Sequence, residues 1–172
     1  DYCDKVGVEF FSTPFDLESV DLLEELGVNK YKISSGDLTH FPLLKKVAQT
    51  EKEIILSTGG SYLAEISESY NFLKSISKAK VSLLHCVSLY PTKSEFVNLE
   101  AIDILKKKFD AEIGFSDHTL GIHLPLAAIA KGATIIEKHF TLDKNMPGPD
   151  QAISTNPAEL ADLVRLGNEV FE

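Results

Sequence analysis

An α/β fold with parallel strands is what the sequence predicts, and three observations predict it. Short β-branched and aromatic runs recur at Val8, Tyr31, Glu53, Val81, Glu112 and Thr134. Segments with apolar residues at helical spacing lie between them. Ser, Thr, Lys or His stands at the C-terminal end of each run.

Taken in order, "VEFFSTPF" reads as a strand followed by a helix with Leu22, Leu23 and Leu26 on one face. "YKISSG" is followed by Leu43, Leu44 and Val47, and "EIILSTG" by Ile66, Tyr70 and Leu73. "VSLLHCVS" precedes Ile102, Leu105 and Phe109; "EIGFSDH" precedes Leu124, Ala127, Ala128 and Ala130; "TIIEKHF" precedes Leu160, Leu163, Val164 and Leu166. Near-continuous apolar strands alternating with amphipathic helices make a parallel sheet covered by helices.

The runs start 23, 22, 28, 31 and 22 residues apart with no Pro-, Gly- or Ser-rich linker, so residues 1–172 read as one domain. A doubly wound sheet and a (β/α)8 TIM barrel both fit this alternation. The strand ends favour the barrel. Polar residues concentrate at one switch point in a doubly wound sheet, whereas here every strand contributes, as when all the ends converge on one barrel mouth. Six units in 172 residues average about 29 each, so eight need roughly 230, near the usual ~250. The first two units are therefore expected to be missing, and the chain is expected to be a piece of a longer protein.

Composition excludes several function classes. The 172 residues are 44% hydrophobic and 25% charged, with a formal net charge of −9, and Arg165 is the only arginine. A nucleic-acid partner is excluded on that balance. No apolar run approaches the ~20 residues that cross a bilayer, and "DYCDKVGVEFF" lacks the order of a signal peptide, so a cytoplasmic address is expected. Cys3 and Cys86 read as free thiols rather than a disulfide.

The strongest chemical signal is His118 with His139. Along "IGFSDH", Ser116 and His118 share a strand face; along "TIIEKHF", Ile135, Glu137 and His139 do. If the two strands are neighbours, both rings can place a nitrogen ~2.1 Å from one ion. Oxygens of Asp117, Glu137 or Asp150 and no thiolate suit manganese, iron, cobalt or zinc with open positions. The alternative is two histidines satisfied at strand ends, or acting as acid and base without metal.

Lys32 is the second signal, as a fixed cation for phosphate or carboxylate or as a Schiff-base former. Hydroxyls of Thr13, Ser35, Ser57, Ser88 and Tyr90, with the N–H groups of Gly36 and Gly59, favour an anion cradle over an imine pocket. Singly, each hydroxyl is better read as a helix cap; together, at four or five strand ends, they favour an anion site. Asp150 sits in the loop "PGPDQ", where a catalytic carboxylate and ordinary turn chemistry are equally served. His85 reads as an interior hydrogen-bonded residue, His40 and His123 as peripheral, and "KKKFD" as a solvated helix end.

"FFSTPFD", "YKISSGD", "IILSTGG", "LLHCVSLYPT", "IGFSDHTLG" and "IIEKHFTLDKNMPGPD", in this order, resemble the sialic acid (N-acetylneuraminate) synthase family of bacterial nonulosonate synthases. The resemblance implies a (β/α)8 barrel followed by a small antifreeze-like domain, absent here, in a homodimer. It implies condensation of phosphoenolpyruvate with an N-acetylated hexosamine, typically N-acetylmannosamine, releasing phosphate by C–O cleavage. It makes His118 and His139 ligands of a divalent metal, Mn2+ before Mg2+ or Co2+. It assigns Thr13, Lys32, Ser35, Ser57, Ser88, Tyr90 and Ser116 to phosphoenolpyruvate, and catalytic roles to Asp150, Asp37 and Lys32.

The sequence departs from the family pattern in three places. Asp37 stands where the sialic acid branch usually has Glu, Ser88 where it often has Asn, and Gln151 where many members have His. The sugar is left open among sialic, legionaminic, pseudaminic and spore-coat types. A catalytic Glu and a second phosphoenolpyruvate-binding Lys belong to the upstream strands, so the piece alone is expected to be inactive. A class I aldolase using Lys32, and a non-catalytic metal- or anion-binding barrel fragment, are the competing readings.

Overall fold

The computed structural model describes residues 2–171. The chain divides into two compact units, 1–82 and 83–172, and the division falls within a strand rather than in a linker.

The first unit opens with a short helix that the sequence pattern does not announce, α1 (Tyr2–Val6), which buries none of its residues. The strand expected from Val8 does not form. Ser12 makes one isolated parallel bridge to Tyr31, with Lys32 N–H donating to Ser12 O at 3.2 Å, while Val8, Phe10 and Phe11 are exposed. Nothing among the described residues buries those side chains, so little offsets the entropy of ordering that segment.

Helix α2 (Leu17–Leu26) starts at Asp16, whose carboxylate accepts from Ser19 N–H at 2.6 Å, and stops at Gly27 at φ +72°, a conformation that suits glycine. Strand β1 (Lys30–Ile33) pairs in parallel with β2 (Glu53–Ser57), Lys32 opposite Ile55. Tyr31 and Ile33 are fully buried on one face of β1, and the Tyr31 hydroxyl donates to Glu24 Oε1 at 2.5 Å. That fixes this face as the one helices cover and sets Lys30 and Lys32 on the other. Helices α3 (Phe41–Ala48) and α4 (Leu63–Ile76) bury Leu43, Leu44, Val47, Ile66, Tyr70 and Leu73, the residues whose spacing marks them in the sequence.

Strand β3 (Val81–Cys86), within which the division falls, is buried throughout. In the second unit it pairs in parallel with β4 (Ile113–Asp117), which pairs in parallel with β5 (Ile136–Lys138). Helix α5 (Glu100–Lys108) buries Ile102 and Leu105 and ends in three lysines, where the helix dipole favours positive charge. Helices α6 (His123–Ala130) and α7 (Pro157–Phe171) follow. Asn156 and Glu159 cap α7 reciprocally, each side chain accepting from the other's backbone N–H at 2.9 Å.

Within each unit every crossover steps to the neighbouring strand, β1 to β2 and β3 to β4 to β5, without the reversal of a doubly wound sheet. The fold is α/β with five parallel strands, part of a barrel rather than an open sheet. Among the described residues no helix is long and apolar enough to cross a membrane, and Cys3 and Cys86 are both free thiols.

Candidate functional site

The second unit gathers the strongest candidates. Asp117 and Lys138 are Cα partners at the ends of β4 and β5, so His118 and His139 are the next residues of two strands in register. Their rings meet edge to face, 5.3 Å between centroids. Tyr90 lies against both, 4.1 Å from the His118 ring and 5.8 Å from that of His139.

His118 is buried, and its Nδ1 lies 3.0 Å from the carbonyl oxygen of Val87. A carbonyl can only accept, so Nδ1 carries the proton and donates, leaving Nε2 as the ring's lone pair. Burial opposes charge on His118, but the Cys86 sulfur 4.0 Å from Nδ1, the Val87 carbonyl and the Asp117 carboxylate outweigh it and raise its pKa above the ordinary imidazole value. His139 goes the other way. Burial, then the charge of His118, lowers its pKa. The Asp150 carboxylate stands 3.7 Å from His139 Nδ1. It reaches there because the loop after β5 is pinned at both ends: Thr155 N–H and Oγ1 donate to His139 O at 2.8 and 2.9 Å, and Thr141 N–H donates to Thr155 O.

The remaining carboxylates are otherwise engaged. Glu137 Oε1 accepts from Ser116 Oγ at 2.6 Å on the histidine side of the strands. Asp117 faces the opposite side, bonded to Lys138 and Thr119, which removes it from the oxygens expected near a metal. Among the described residues no three His, Cys, Asp or Glu side chains are grouped to complete a ligand set. What fits is an open site in which two imidazoles, one with its tautomer fixed by a backbone carbonyl, leave the other positions to water or substrate.

Ser88 and Tyr90 are exposed in the loop after β3, with Ser88 Oγ 4.0 Å from Cys86 Sγ. His85 is the interior residue its sequence context suggests: Nε2–H donates to Val97 O at 2.6 Å, its ring stacks on Phe115 at 5.7 Å, and burial lowers its pKa.

The first unit holds the other candidates. Lys32 is half-buried on the face of β1 opposite Tyr31. Ser57, at the end of β2, is 2% exposed and its Oγ has no hydrogen-bond partner among the described residues. A hydroxyl in that position can both donate and accept a hydrogen bond. Ser35 Oγ accepts from Gly59 N–H at 2.9 Å, tying the loop after β1 to the loop after β2. Asp37 ends the turn Ser35–Asp37, 3.5 Å from His40 Nδ1, and Thr13 is half-buried next to the Ser12 bridge. The pairs Ser116–Glu137 and Asp117–Lys138 escape a reading that takes each strand alone. Setting "SDH" beside "EKH" finds both.

Residues 1–172 match the NeuB family. The chain is 53% identical to the N,N'-diacetyllegionaminic acid synthase of Campylobacter jejuni over 161 residues, 92% of this chain and 48% of that protein. It superposes on the N-acetylneuraminic acid (sialic acid) synthetase of Leptospira borgpetersenii, solved in complex with citrate, with a TM-score of 0.95 and 42% identity, covering 98% of this chain and 59% of that one. With the spore coat polysaccharide biosynthesis protein SpsE of Bacillus subtilis the TM-score is 0.96 at 39% identity, covering 99% and 48%. The chain thus spans about half the length of the relatives it matches.

Proposed function

The chain belongs to the NeuB family, and from that premise we propose that the full-length protein is a nonulosonate synthase. It condenses phosphoenolpyruvate with the open-chain aldehyde of an N-acetylated hexosamine. The observation that carries this reading is the pairing of His118 and His139 at the ends of neighbouring strands, with Nδ1 of His118 turned to the Val87 carbonyl.

The bond that forms joins C3 of phosphoenolpyruvate to the aldehyde carbon. Water adds at C2, and the C–O bond to phosphate breaks. His118 and His139 would hold a divalent ion; two imidazoles with oxygen donors suit manganese, iron, cobalt or zinc, and the family resemblance implies Mn2+. Such an ion supplies Lewis acidity at the sugar aldehyde.

The chain's own residues do the rest. Tyr90 packs on both imidazoles and limits water there. Asp150, half-exposed beside His139, accepts hydrogen bonds from sugar hydroxyls. In the first unit, Lys32 supplies positive charge and Ser57 Oγ a hydrogen bond to phosphoenolpyruvate, with Thr13 and Ser35 beside them in the loops. In the second, the family resemblance assigns Ser116, Ser88 and Tyr90 to substrate binding. Asp37 is the carboxylate that reaches the sugar or the intermediate. The legionaminic acid and sialic acid synthases named above are named for different sugar acids, so the hexosamine is chosen by experiment.

The test is sugar-dependent phosphate release by the full-length protein from phosphoenolpyruvate, with Mn2+ and a panel of N-acetylated hexosamines. Release with one sugar, abolished by EDTA and by His118→Ala, is expected. No release with any sugar, or full activity in EDTA, contradicts the proposal. Trapping of pyruvate on Lys32 by borohydride points instead to a class I aldolase.

A further inference from the structure

The Asp117–Lys138 pair has no part in the chemistry above and is expensive to bury. Lys138 Nζ lies 2.6 Å from Asp117 Oδ2, with the side chains 4% and 0% exposed. Every oxygen is satisfied: Thr119 N–H donates to Oδ1 at 3.0 Å and Thr119 Oγ1 to Oδ2 at 3.2 Å, while Lys138 Nζ also donates to Thr119 O at 2.7 Å. Lys138 lines a cavity together with apolar side chains from α6 and α7, Ile129, Leu160 and Leu163. In such surroundings a well-packed apolar pair is commonly as stable as an ion pair, so stability alone does not account for the charges.

Register does account for them. Strand β5 is three residues long, and none of its residues is fully buried as a whole, so hydrophobic pattern holds its alignment weakly. A slip of one residue turns every side chain to the opposite face, and His139 would leave His118 for the helix side. Asp117 and Lys138 are direct cross-strand partners on that helix side, one residue before each histidine. Their charges can meet in one register only.

We propose that the Asp117–Lys138 ion pair, locked by Thr119, is a positioning device that fixes the register of β4 and β5 and thereby the spacing of His118 and His139. It acts through the histidines and touches no substrate. The inference rests on the reading of those two residues as metal ligands.

Mn2+ titration calorimetry and thermal melting of the full-length protein test it. In Asp117→Leu/Lys138→Met, melting at or near the wild-type temperature with a Kd for Mn2+ raised about tenfold to a hundredfold is expected, the range for residues that orient metal ligands. A folded double variant that binds Mn2+ as tightly as wild type overturns the proposal. Should that variant not fold, Thr119→Val, which keeps the pair and removes one donor, decides: weaker Mn2+ binding supports the proposal and unchanged binding overturns it. A wild-type protein that binds no Mn2+ overturns the metal reading, and this inference with it.

Discussion

Nδ1 of His118 donates to the carbonyl oxygen of Val87 at 3.0 Å, which leaves Nε2 as the ring's only acceptor. This predicts that neutral His118 is the Nδ1–H tautomer. Histidine-selective nitrogen NMR of the full-length protein at pH 8 should show that pattern, and a diamagnetic divalent ion should shift Nε2 with Nδ1 still protonated. An Nε2–H tautomer contradicts the geometry.

Ser57→Ala should separate stability from ligand binding. Among the described residues the buried Ser57 hydroxyl has no partner, so replacing it removes a desolvation cost and should stabilise the protein by about 1 kcal/mol. The same change should weaken phosphoenolpyruvate binding. Denaturant melts and calorimetry measure the two effects, and a destabilised Ser57→Ala protein shows that the hydroxyl has a structural role.

Gly114 admits no side chain. A Cβ there stands 2.5 Å from the Ile135 carbonyl oxygen and 2.5 Å from a Leu84 methyl, so the backbone between β4 and β5 has to move. Gly114→Ala should cost about 3 kcal/mol by urea unfolding, the upper range for overpacking a core.

His85 should make stability depend on pH. Burial lowers its pKa in the folded protein below the ordinary value of about 6.5, so the folded state resists a proton that the unfolded state accepts. Its contribution is therefore complete above pH ~6.5 and declines as pH falls below that value. His85→Gln keeps a donor for Val97 O but cannot titrate. Urea melts at pH 7.5 and 5.5 should show a smaller acid loss in the variant than in wild type; equal losses rule His85 out as a source.

Much of this arrangement is legible in the sequence because its period is short. Alternation along "IGFSDH" and "TIIEKHF" is enough to place His118 and His139 on one side of neighbouring strands, and the structure brings their rings together. Helical spacing likewise finds the buried faces of α3, α4 and α5. The first strand is misread because β-branched and aromatic residues report propensity, while a strand also needs a partner and a covered face; Val8, Phe10 and Phe11 have neither burial nor a ladder. Asp117 is misread because closeness in sequence to His118 is the reverse of closeness in space on a strand. Which carbonyl fixes the His118 tautomer depends on the loop at Val87, and no local pattern encodes that contact.

The fate of the oxygen that bridges carbon and phosphorus tests the central claim most directly. Full-length protein is given phosphoenolpyruvate labelled with oxygen-18 at that position, together with Mn2+ and the accepted N-acetylated hexosamine, and the phosphate released is weighed by mass spectrometry. A nonulosonate synthase breaks the C–O bond, so the label should leave in the phosphate. Unlabelled phosphate, with the heavy oxygen kept in the organic product, would contradict the account.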